Sequence, residues 1–422
     1  MDPIQELISN IRTPEIPQRE FTIRCSSGED IYFAIQDALD QCRFAGGGRI
    51  VIPPGSFRCS KPLHLNDCTE LHLSLGAYLK FTFDPQAYLP QVFTRWEGVE
   101  LYALSPMIYA NGATDIAITG SGIISGGWEE FAQWRRQQLP AQQKSRSFAE
   151  KQIPVEKRIM DENDFLRPSF VQFVNCRRIL LDGPTFTNTA FWMIHPLYCS
   201  DLTIRNIHLD SMMVNNDGID VESCENVLIE NSTFRNGDDA VVIKAGRDQD
   251  GLRVGRPTRK VVIRRCTFFE ALHGFAIGSE LSGSAEDIFV EDIVMKKIFH
   301  HAISFKSMIG RGGVIRNIHL KHISVEYAGN HLINLTNDYS QDIHGSALTL
   351  FDNISIENLQ CNFAENAFAF QGNPSCPVGK VLLKNITVDH ANKLCSRCEF
   401  ANDIKLENIQ VDSLQITGIF SD

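Results

Sequence analysis

Short runs of alternating hydrophobic and polar residues recur along most of the chain. Three typical copies read CSDLTIRNIHL, CENVLIENSTF and KVLLKNITV, at residues 199–209, 224–234 and 380–388. Alternation with a period of two is typical of β-strands that bury one face. Each copy has two such runs around a polar pair that often contains Asn, a residue that tolerates left-handed backbone in a tight turn. The pattern therefore predicts strand–turn–strand units rather than helices.

The repeated unit returns at intervals of about 23 to 36 residues, the range expected of one coil of a solenoid. Since no copy can bury its hydrophobic face alone, the copies must stack on one another. We therefore predict an all-β fold, a single-stranded right-handed parallel β-helix that forms one domain over residues 1–422. An antiparallel sandwich also has many short strands, but it should show two-residue hairpin turns rather than one repeated unit.

Two segments depart from the repeat. Residues 31–43 carry hydrophobic residues at helical spacing, which predicts an amphipathic helix. Together with an N-terminal arm, over residues 1–50, this helix would cap the open end of the solenoid. Residues 127–165 are polar and interrupt the repeat. They predict a long insertion, either a lid beside a binding cleft or a solvated loop.

The charge balance excludes some classes of protein. The net charge is −11, with 40 Lys and Arg against 51 Asp and Glu, whereas a general nucleic-acid-binding protein needs a basic face. An acidic ligand remains compatible, because a local cleft can be basic on an acidic protein. The chain contains no run of about 18 hydrophobic residues and no signal-peptide pattern at its N-terminus. We therefore expect no nucleic-acid or membrane partner and a cytoplasmic location.

Twelve cysteines are spread along the chain. Without a signal peptide, they are expected to be reduced thiols. Cys176, Cys199 and Cys224 each precede an alternating run at the same place, which predicts buried thiols stacked between coils. Cys395 and Cys398 form a lone CxxC that lacks a second pair of zinc ligands. The sequence therefore predicts neither a metal nor another cofactor.

Polar residues occupy the same place in three neighbouring repeats. The first repeat carries NNDGID, the second GDD and the third HG, at residues 215–220, 237–239 and 273–274. Equal places on successive coils lie about 4.8 Å apart. Singly, these motifs are explained by a turn, a solvated loop, half of a calcium site or a structural histidine. Together they predict one surface cluster formed by Asp217, Asp238, Asp239 and His273.

Three neighbouring carboxylates repel one another, which should raise the pKa of at least one and keep it protonated near neutral pH. A protonated acid beside an ionised base is what glycoside hydrolysis requires. The cluster therefore favours a glycoside hydrolase. A β-helix pectate lyase would instead use calcium and an Arg or Lys base. A non-catalytic carbohydrate-binding or adhesin β-helix would give no reason for the three aspartates.

Four sequence blocks resemble the signatures of glycoside hydrolase family 28, the polygalacturonases. They read NNDGID, GDDAVVIK, HGFAIGSE and SFKSMIGRGG, in this order. Further stretches, TRWEG, FWMIHP and the segment from GRD to GRP, resemble the exo-acting bacterial branch. The resemblance extends over residues 30–415. It implies an inverting hydrolase, exo-acting, that removes α-linked galacturonic-acid-type residues from pectic oligosaccharides, so its partner would be an anionic oligosaccharide.

The resemblance also implies roles for individual residues. Asp238 would be the general acid, while Asp217 and Asp239 would hold and activate the attacking water. Inversion implies carboxylates about 6.5–9.5 Å apart. His273 would tune the acid, and Lys306 would bind a substrate carboxylate. The other expected substrate-binding residues are Asn215, His195, Tyr339, Glu280, Arg247, Arg311 and Ser304.

Two positions depart from the family pattern. The Arg of the RIK block is Ser304 here, and the first Gly of the GHG block is Leu272. A serine cannot replace a guanidinium that grips a carboxylate through two bonds. The missing charge could come from Arg247, Arg253, Arg256 or Arg311. The sequence therefore leaves the sugar open between galacturonate and another pectic or related acidic oligosaccharide, for example rhamnogalacturonan.

Overall fold

The computed structural model describes residues 3–82, 84–127, 129, 131, 133–340 and 345–420. Helices are few and short in these residues. They are α1 (Pro3–Ser9), α2 (Tyr32–Phe44), α3 (Trp134–Gln137), α4 (Leu139–Arg146) and α5 (Asp248–Val254), with 3₁₀ turns at Pro85–Tyr88, Val155–Lys157 and Glu162–Asp164.

Strands make up most of the remaining structure. In the N-terminal half they are β1 (Glu20–Thr22), β2 (Gly48–Ile52), β3 (Gly55–Cys59), β4 (Leu63–His64), β5 (Thr69–Leu73), β6 (Ala77–Phe81), β7 (Val92–Trp96), β8 (Val99–Ala103), β9 (Ile108–Asn111), β10 (Thr114–Gly120), β11 (Ile123–Ser125), β12 (Val171–Val174), β13 (Arg177–Asp182), β14 (Thr185–Thr187), β15 (Ile194–Leu197), β16 (Ser200–Arg205) and β17 (His208–Ser211). Then follow β18 (Ile219–Glu222), β19 (Glu225–Glu230), β20 (Thr233–Asn236), β21 (Asp239–Lys244), β22 (Thr258–Arg264), β23 (Thr267–Ala271), β24 (His273–Gly278), β25 (Ala285–Ile298), β26 (Ile303–Lys306), β27 (Val314–Thr336), β28 (Leu350–Gln371), β29 (Val378–Glu399), β30 (Ala401–Val411) and β31 (Leu414–Phe420).

The chain divides into two compact units. Unit 1 comprises Met1–Asp220 and Cys224–Ser232, and unit 2 comprises Val221–Ser223 and Thr233–Asp422. Both consist of parallel strands stacked coil upon coil, which confirms the predicted right-handed parallel β-helix. The prediction of a single domain over the whole chain stays a prediction.

In unit 1, each coil contributes strands to parallel stacks. One stack contains β2, β5, β10, β13, β16 and β19, and a second contains β3, β6, β11, β14 and β17. Because neighbouring strands are in register, their buried side chains meet across coils. In the first stack the resulting hydrophobic column is formed by Ile50, Leu71, Ile118, Leu181, Ile204 and Ile229.

Unit 2 is built in the same way. Its longest stack runs through β22, β25, β27, β28, β29 and β30, and β31 closes it as an antiparallel strand. Its turns confirm the predicted role of asparagine. Asn358, Asn385 and Asn408 all have a positive φ, between 51° and 56°. The Asn385 amide donates to Asn358 Oδ1 at 2.9 Å and Asn408 donates to Asn385 Oδ1 at 2.8 Å, so the turns form a hydrogen-bonded ladder.

The predicted N-terminal helix is present as α2, one residue later than expected. Ile35, Leu39 and Cys42 are fully buried on one of its faces. This face packs against β1, β2 and β5 at the first coil of unit 1. The amphipathic spacing therefore identified the cap correctly, because its hydrophobic stripe covers core that the first coil would expose.

The insertion at 127–165 is a packed segment in its described part. It contains α3 and α4, and its Ala141, Phe148 and Met160 side chains are buried against Trp96 and Leu101 of the β7–β8 hairpin. The solvated-loop alternative is therefore wrong, because these side chains join a hydrophobic cluster. A function as a lid stays a prediction.

The cysteine stack is confirmed. Cys176, Cys199 and Cys224 are reduced thiols and fully buried. The Cys199 thiol donates to the Phe173 carbonyl at 3.2 Å, and the Cys199 N–H donates to Cys224 Sγ at 3.2 Å. In the described part of the chain, the helices are all too short or too polar to span a membrane.

Candidate active site

The Asp238–Asp239 pair lies where β21 of unit 2 begins. The Asn236 amide donates to the carbonyl oxygens of Asp238 and Asp239 at 3.0 and 2.8 Å. The Asp239 N–H donates to Asp238 Oδ1 at 3.1 Å. Leu272, where the family has Gly, donates its N–H to the Asp238 carbonyl at 3.0 Å. Asn236 and Leu272 therefore hold the pair through its backbone carbonyls, with Asp239 buried and Asp238 partly exposed.

Asp239 is an ionised carboxylate with two strong partners. Its Oδ1 lies 2.5 Å from His273 Nδ1, and its Oδ2 lies 2.7 Å from Lys306 Nζ. Burial alone would raise the pKa of Asp239, but the Lys306 charge and the hydrogen bond from His273 hold this pKa well below its usual range. Asp239 and His273 occupy the same register on β21 and β24, as the repeat predicted.

The pKa of Asp238 is shifted in the opposite direction to that of Asp239. Burial raises its pKa, and the neighbouring Asp239 carboxylate raises it further. This confirms the expectation that at least one aspartate has a raised pKa. The pair therefore offers a proton donor and an ionised carboxylate on adjacent residues, the combination that general acid–base chemistry needs.

Lys306 is buried beside this pair. Burial alone would lower the pKa of Lys306, but the Asp239 carboxylate raises it, so the ammonium stays charged. The half-exposed ring of Tyr339 has its centroid 5.8 Å from Lys306 Nζ. Because Lys306 already pairs with Asp239, its predicted contact with a substrate carboxylate stays a prediction. We call Asp238, Asp239, His273 and Lys306 the acid–base cluster.

A group of histidines that the sequence did not single out adjoins His273. His300 Nδ1 lies 3.0 Å from His273 Nε2, and the ring of His301 stacks on that of His273 at 5.2 Å. His331 in turn contacts His301. Burial lowers the pKa of His300 and of His331 to about 4. The spacing of His301 and His331 could have indicated this group in the sequence, because the two residues lie 30 residues apart on successive coils.

Two groups in the described residues have ligand atoms close enough to hold a metal ion. One is His273, His300 and His301, and the other is Asp238, Asp239 and His273, each within 4.8 Å. Hydrogen bonds within these groups account for their close spacing without an ion.

In unit 1, the NNDGID block forms a loop held by hydrogen bonds of Asn216. The Asn216 amide donates to the Thr189 and Phe191 carbonyls, each at 2.9 Å, and its Oδ1 accepts from the Met213 N–H at 2.9 Å. Asp217 follows directly, and its carbonyl accepts from the Met193 N–H at 2.9 Å. Asp217 is 4% exposed. Its predicted place in one cluster with Asp238 and Asp239 stays a prediction.

Arg167 is another residue that the sequence did not single out. It is fully buried and donates to Asn215 Oδ1 at 2.8 Å, the Val214 carbonyl at 3.1 Å and Gln138 Oε1 at 3.0 Å. Its guanidinium also lies over the Phe191 ring at 5.2 Å. Arg167 therefore ties the loop that carries Asp217 to the insertion, a long-range link that leaves no local pattern in the sequence.

His195 is fully buried in unit 1. The Gln172 amide nitrogen lies 2.7 Å from its Nδ1, and Gln172 Oε1 accepts from Thr94 at 2.9 Å. The Trp192 ring packs edge-on against His195 at 4.8 Å. A contact of His195 with substrate stays a prediction.

Glu280, Arg247 and Arg311 belong to a separate buried network in unit 2. Glu280 accepts from Lys244 Nζ at 3.1 Å and Arg247 Nη1 at 2.9 Å, while Arg311 binds Asp248. Burial alone would raise the pKa of Glu280, but Lys244, Arg247 and Arg311 hold it far below its usual range. We call these five residues the Glu280 network. Its arginines are engaged by carboxylates, and their contact with substrate stays a prediction.

Ser304 occupies the place of the family arginine on β26. It is fully buried, pairs with Ala276 and Asn334 of neighbouring strands, and accepts a hydrogen bond from the Asn334 amide at 3.3 Å. Two residues further along β26 lies Lys306 of the acid–base cluster. The substitution therefore removes a positive charge on the same strand as Lys306.

A family profile, glycosyl hydrolases family 28, matches residues 157–408. Among sequence relatives, a probable polygalacturonase of Vitis vinifera is 26% identical, with 85% of this chain and 71% of that protein aligned. An exopolygalacturonase of Cochliobolus carbonum is 21% identical, with 93% of this chain and 81% of that protein aligned.

Among solved structures, a hyperthermoactive exopolygalacturonase of Thermotoga maritima has a TM-score of 0.92 and 32% identity, covering 99% of this chain and 98% of that one. The similarity thus extends along the whole chain and through both units, and the family profile includes all four residues of the acid–base cluster.

Proposed function

Because the chain belongs to glycosyl hydrolases family 28, and is therefore a glycoside hydrolase, we propose that it is an exo-acting polygalacturonase. Its substrate would be an α-linked galacturonate oligosaccharide of pectic origin, shortened from one end with inversion at the anomeric carbon. The observation that carries the proposal is the arrangement of two adjacent carboxyls: Asp239 is bonded to Lys306 and His273, which lower its pKa, whereas burial raises the pKa of the neighbouring Asp238.

In the proposed reaction, Asp238 is the general acid. Its raised pKa keeps the proton that the departing glycosidic oxygen must receive as the bond to the anomeric carbon breaks. Its partial exposure also makes it the more accessible carboxyl of the pair.

Asp239 acts on the attacking water rather than on the leaving oxygen. A water molecule forms the new bond to the anomeric carbon and transfers its proton to a carboxylate, which must be ionised beforehand. Lys306 and His273 keep Asp239 in this form. We propose that Asp217 of unit 1 shares the activation of the water.

The positive charge of Lys306 supports an anionic sugar. Its ammonium has the half-exposed Tyr339 ring beside it and is bonded to Asp239. An ammonium in this place favours a substrate carboxylate by charge attraction, in a buried setting where the attraction is weakly screened.

A second candidate substrate is supported by Ser304. Replacement of a guanidinium by a hydroxyl removes a two-bond grip on a carboxylate, and Ser304 is already engaged with Asn334. We therefore keep another acidic pectic oligosaccharide, such as rhamnogalacturonan, as the alternative substrate of the same inverting chemistry.

Product analysis tests the proposal. Trigalacturonate and rhamnogalacturonan oligosaccharides are incubated with the enzyme, and proton NMR follows the first product. We expect galacturonate released one residue at a time, first as the β anomer. An α anomer first, internal cleavage or an unsaturated product absorbing in the ultraviolet would each contradict the proposed reaction, and faster cleavage of rhamnogalacturonan would select the alternative substrate.

A further inference from the structure

A chain of side-chain hydrogen bonds in unit 2 leads from a backbone carbonyl to Asp239. Its links are Asn366 to Asn330, Asn330 to His300, His300 to His273 and His273 to Asp239. Of these residues, Asp239 and its partner His273 have roles in the proposed reaction, whereas Asn366, Asn330 and His300 do not. The direction of donation along this chain can be deduced because its far end is a group that can only accept.

The starting point is the backbone carbonyl of Asn330. The Asn366 amide lies 3.3 Å from it, and since a carbonyl oxygen cannot donate, the facing atom of Asn366 must be its Nδ2. The same Nδ2 lies 3.2 Å from Asn330 Oδ1. This contact fixes the orientation of the Asn330 amide, whose oxygen accepts from Asn366 and whose nitrogen faces the other way.

The next links follow from the orientation of Asn330. Its Nδ2 lies 2.8 Å from His300 Nε2 and can only donate, so His300 Nε2 must accept. Burial lowers the pKa of His300 to about 4, which agrees with a neutral ring at neutral pH. A neutral imidazole with an accepting Nε2 carries its proton on Nδ1. His300 therefore donates from Nδ1 to His273 Nε2, across 3.0 Å.

The same logic then determines His273. Because its Nε2 accepts from His300, its proton must be on Nδ1, which donates to Asp239 Oδ1 across 2.5 Å. The alternative, a doubly protonated His273, would place two N–H groups face to face at Nε2 and His300 Nδ1. Within the described residues, the other charged and titratable groups that interact with His273 or with its neighbours include Asp238, Lys244, Lys306, His301 and His331.

We propose that Asn330 and His300 are positioning residues that fix the tautomer of His273. They hold His273 as a neutral donor from Nδ1 to Asp239, so Asp239 Oδ1 is occupied while its Oδ2 pairs with Lys306. The catalytic consequence rests on the proposed function, whereas the tautomer itself does not. Tautomer selection by a second hydrogen bond is how histidines at active sites acquire one defined donor.

Nitrogen NMR of the full-length enzyme tests the tautomer directly. With ¹⁵N-labelled histidine at pH 7, His273 should show a protonated Nδ1 and an unprotonated Nε2, assigned by loss of the signals in His273→Asn. In His300→Ala, we expect His273 to become a mixture of tautomers. A protonated Nε2 in the wild type, or a His273 spectrum unchanged in His300→Ala, would overturn the proposal whatever the substrate is.

Kinetics test the consequence. His300→Ala should lower kcat at least about 10-fold with little change in KM, as expected for outer partners of functional residues. His300→Gln, which can donate through Nε2, should recover part of the loss. Asn330→Leu should act in the same direction as His300→Ala. His319→Ala is the matched control, a half-buried histidine that stacks on Phe289 and bonds Ser355 outside this chain of hydrogen bonds.

The outcomes separate this inference from the proposed function. A wild-type kcat in His300→Ala, or an equal loss in His319→Ala, would overturn a positioning role. If His300→Ala fails to fold, as judged by circular dichroism, His300→Gln and Asn330→Leu carry the test. If the predicted tautomer is found in an enzyme that does not cleave galacturonate, the tautomer inference stands and the proposed function fails.

Discussion

Unit 2 contains two buried clusters of charged residues that differ in one respect. The acid–base cluster has two carboxyls and one lysine, together with His273. The Glu280 network has two carboxylates and three cations, Lys244, Arg247 and Arg311. In the Glu280 network, the pKa of Glu280 falls, whereas in the acid–base cluster the pKa of Asp238 rises.

This difference shows which charge environment keeps a buried carboxyl group protonated. Burial penalises every carboxylate, and only a sufficient number of cations reverses the penalty. Glu280 has such partners, whereas the positive charges near Asp238, of which Lys306 is the strongest, do not offset its burial and the repulsion by Asp239. A structural ion network and an acid–base pair can therefore be made from the same residue types, and the balance of charges distinguishes them.

Removing the proton donor should have the largest effect on activity. We expect Asp238→Asn to lower kcat by about 10²- to 10⁴-fold, the usual contribution of a general acid. Because asparagine has nearly the shape of the protonated, uncharged Asp238 side chain, the melting temperature should change little. Steady-state kinetics on trigalacturonate and thermal melting measure both. Near-wild-type turnover would show that Asp238 is not the acid.

Breaking the Glu280 network should instead reduce stability. Glu280→Gln leaves the buried Lys244 and Arg247 with an uncompensated charge, so we expect a loss of about 3–5 kcal/mol in the free energy of unfolding. Urea unfolding at pH 7 measures it. Glu270→Gln, which removes a surface pair with Arg235, is the control and should cost at most about 1 kcal/mol. Equal losses in both variants would refute the comparison.

The pH dependence of kcat tests the raised pKa of Asp238, which distinguishes the acid–base cluster from the Glu280 network. Asp238 is active when protonated, so kcat should fall as the pH rises through its raised pKa. Lys306 lowers the pKa of Asp238, although less than burial and Asp239 raise it. Lys306→Gln should therefore move the alkaline limb of the kcat profile to higher pH. The exposed Lys297, paired with Glu270, provides the control Lys297→Gln, whose profile should match the wild type. A limb that moves to lower pH would contradict the assignment.

Restoring a cation near the acid–base cluster should have the smallest effect. We expect Ser304→Arg to raise kcat/KM on galacturonate oligosaccharides by up to about 10-fold, equivalent to about 1.4 kcal/mol of transition-state binding. Ser324→Arg, at an exposed position on β27, is the control. An unchanged or lower rate in a Ser304→Arg enzyme that melts at the wild-type temperature would favour a different sugar as the natural substrate.

The fold could be predicted from the sequence because a solenoid repeats one local unit. The alternation, the asparagine turns and the helix over residues 31–43 are all local patterns, and each is confirmed. The contact between Asp239 and His273 could also be predicted, because in-register pairing sets equal positions of successive coils side by side.

Other features of the site depend on contacts that the repeat does not encode. Arg167 reaches Asn215 across 48 residues, and His300 reaches His273 from an irregular position between strands. Which aspartate keeps the proton depends on the fact that Lys306 bonds Asp239. This choice is made by side-chain geometry, which the repeat does not encode. The sequence did not reveal that the described part of residues 127–165 is packed, because its buried residues are scattered among exposed polar ones.

The central claim is that Asp238 holds a proton that Asp239 has lost. Titration of ¹³C-labelled aspartate carboxyls by NMR measures this directly in the wild type and in Asp238→Asn. We predict one carboxyl that titrates above the ordinary aspartate range and disappears in the variant, while Asp239 stays ionised below that range. A raised titration that persists in Asp238→Asn, or no raised titration at all, would contradict the account.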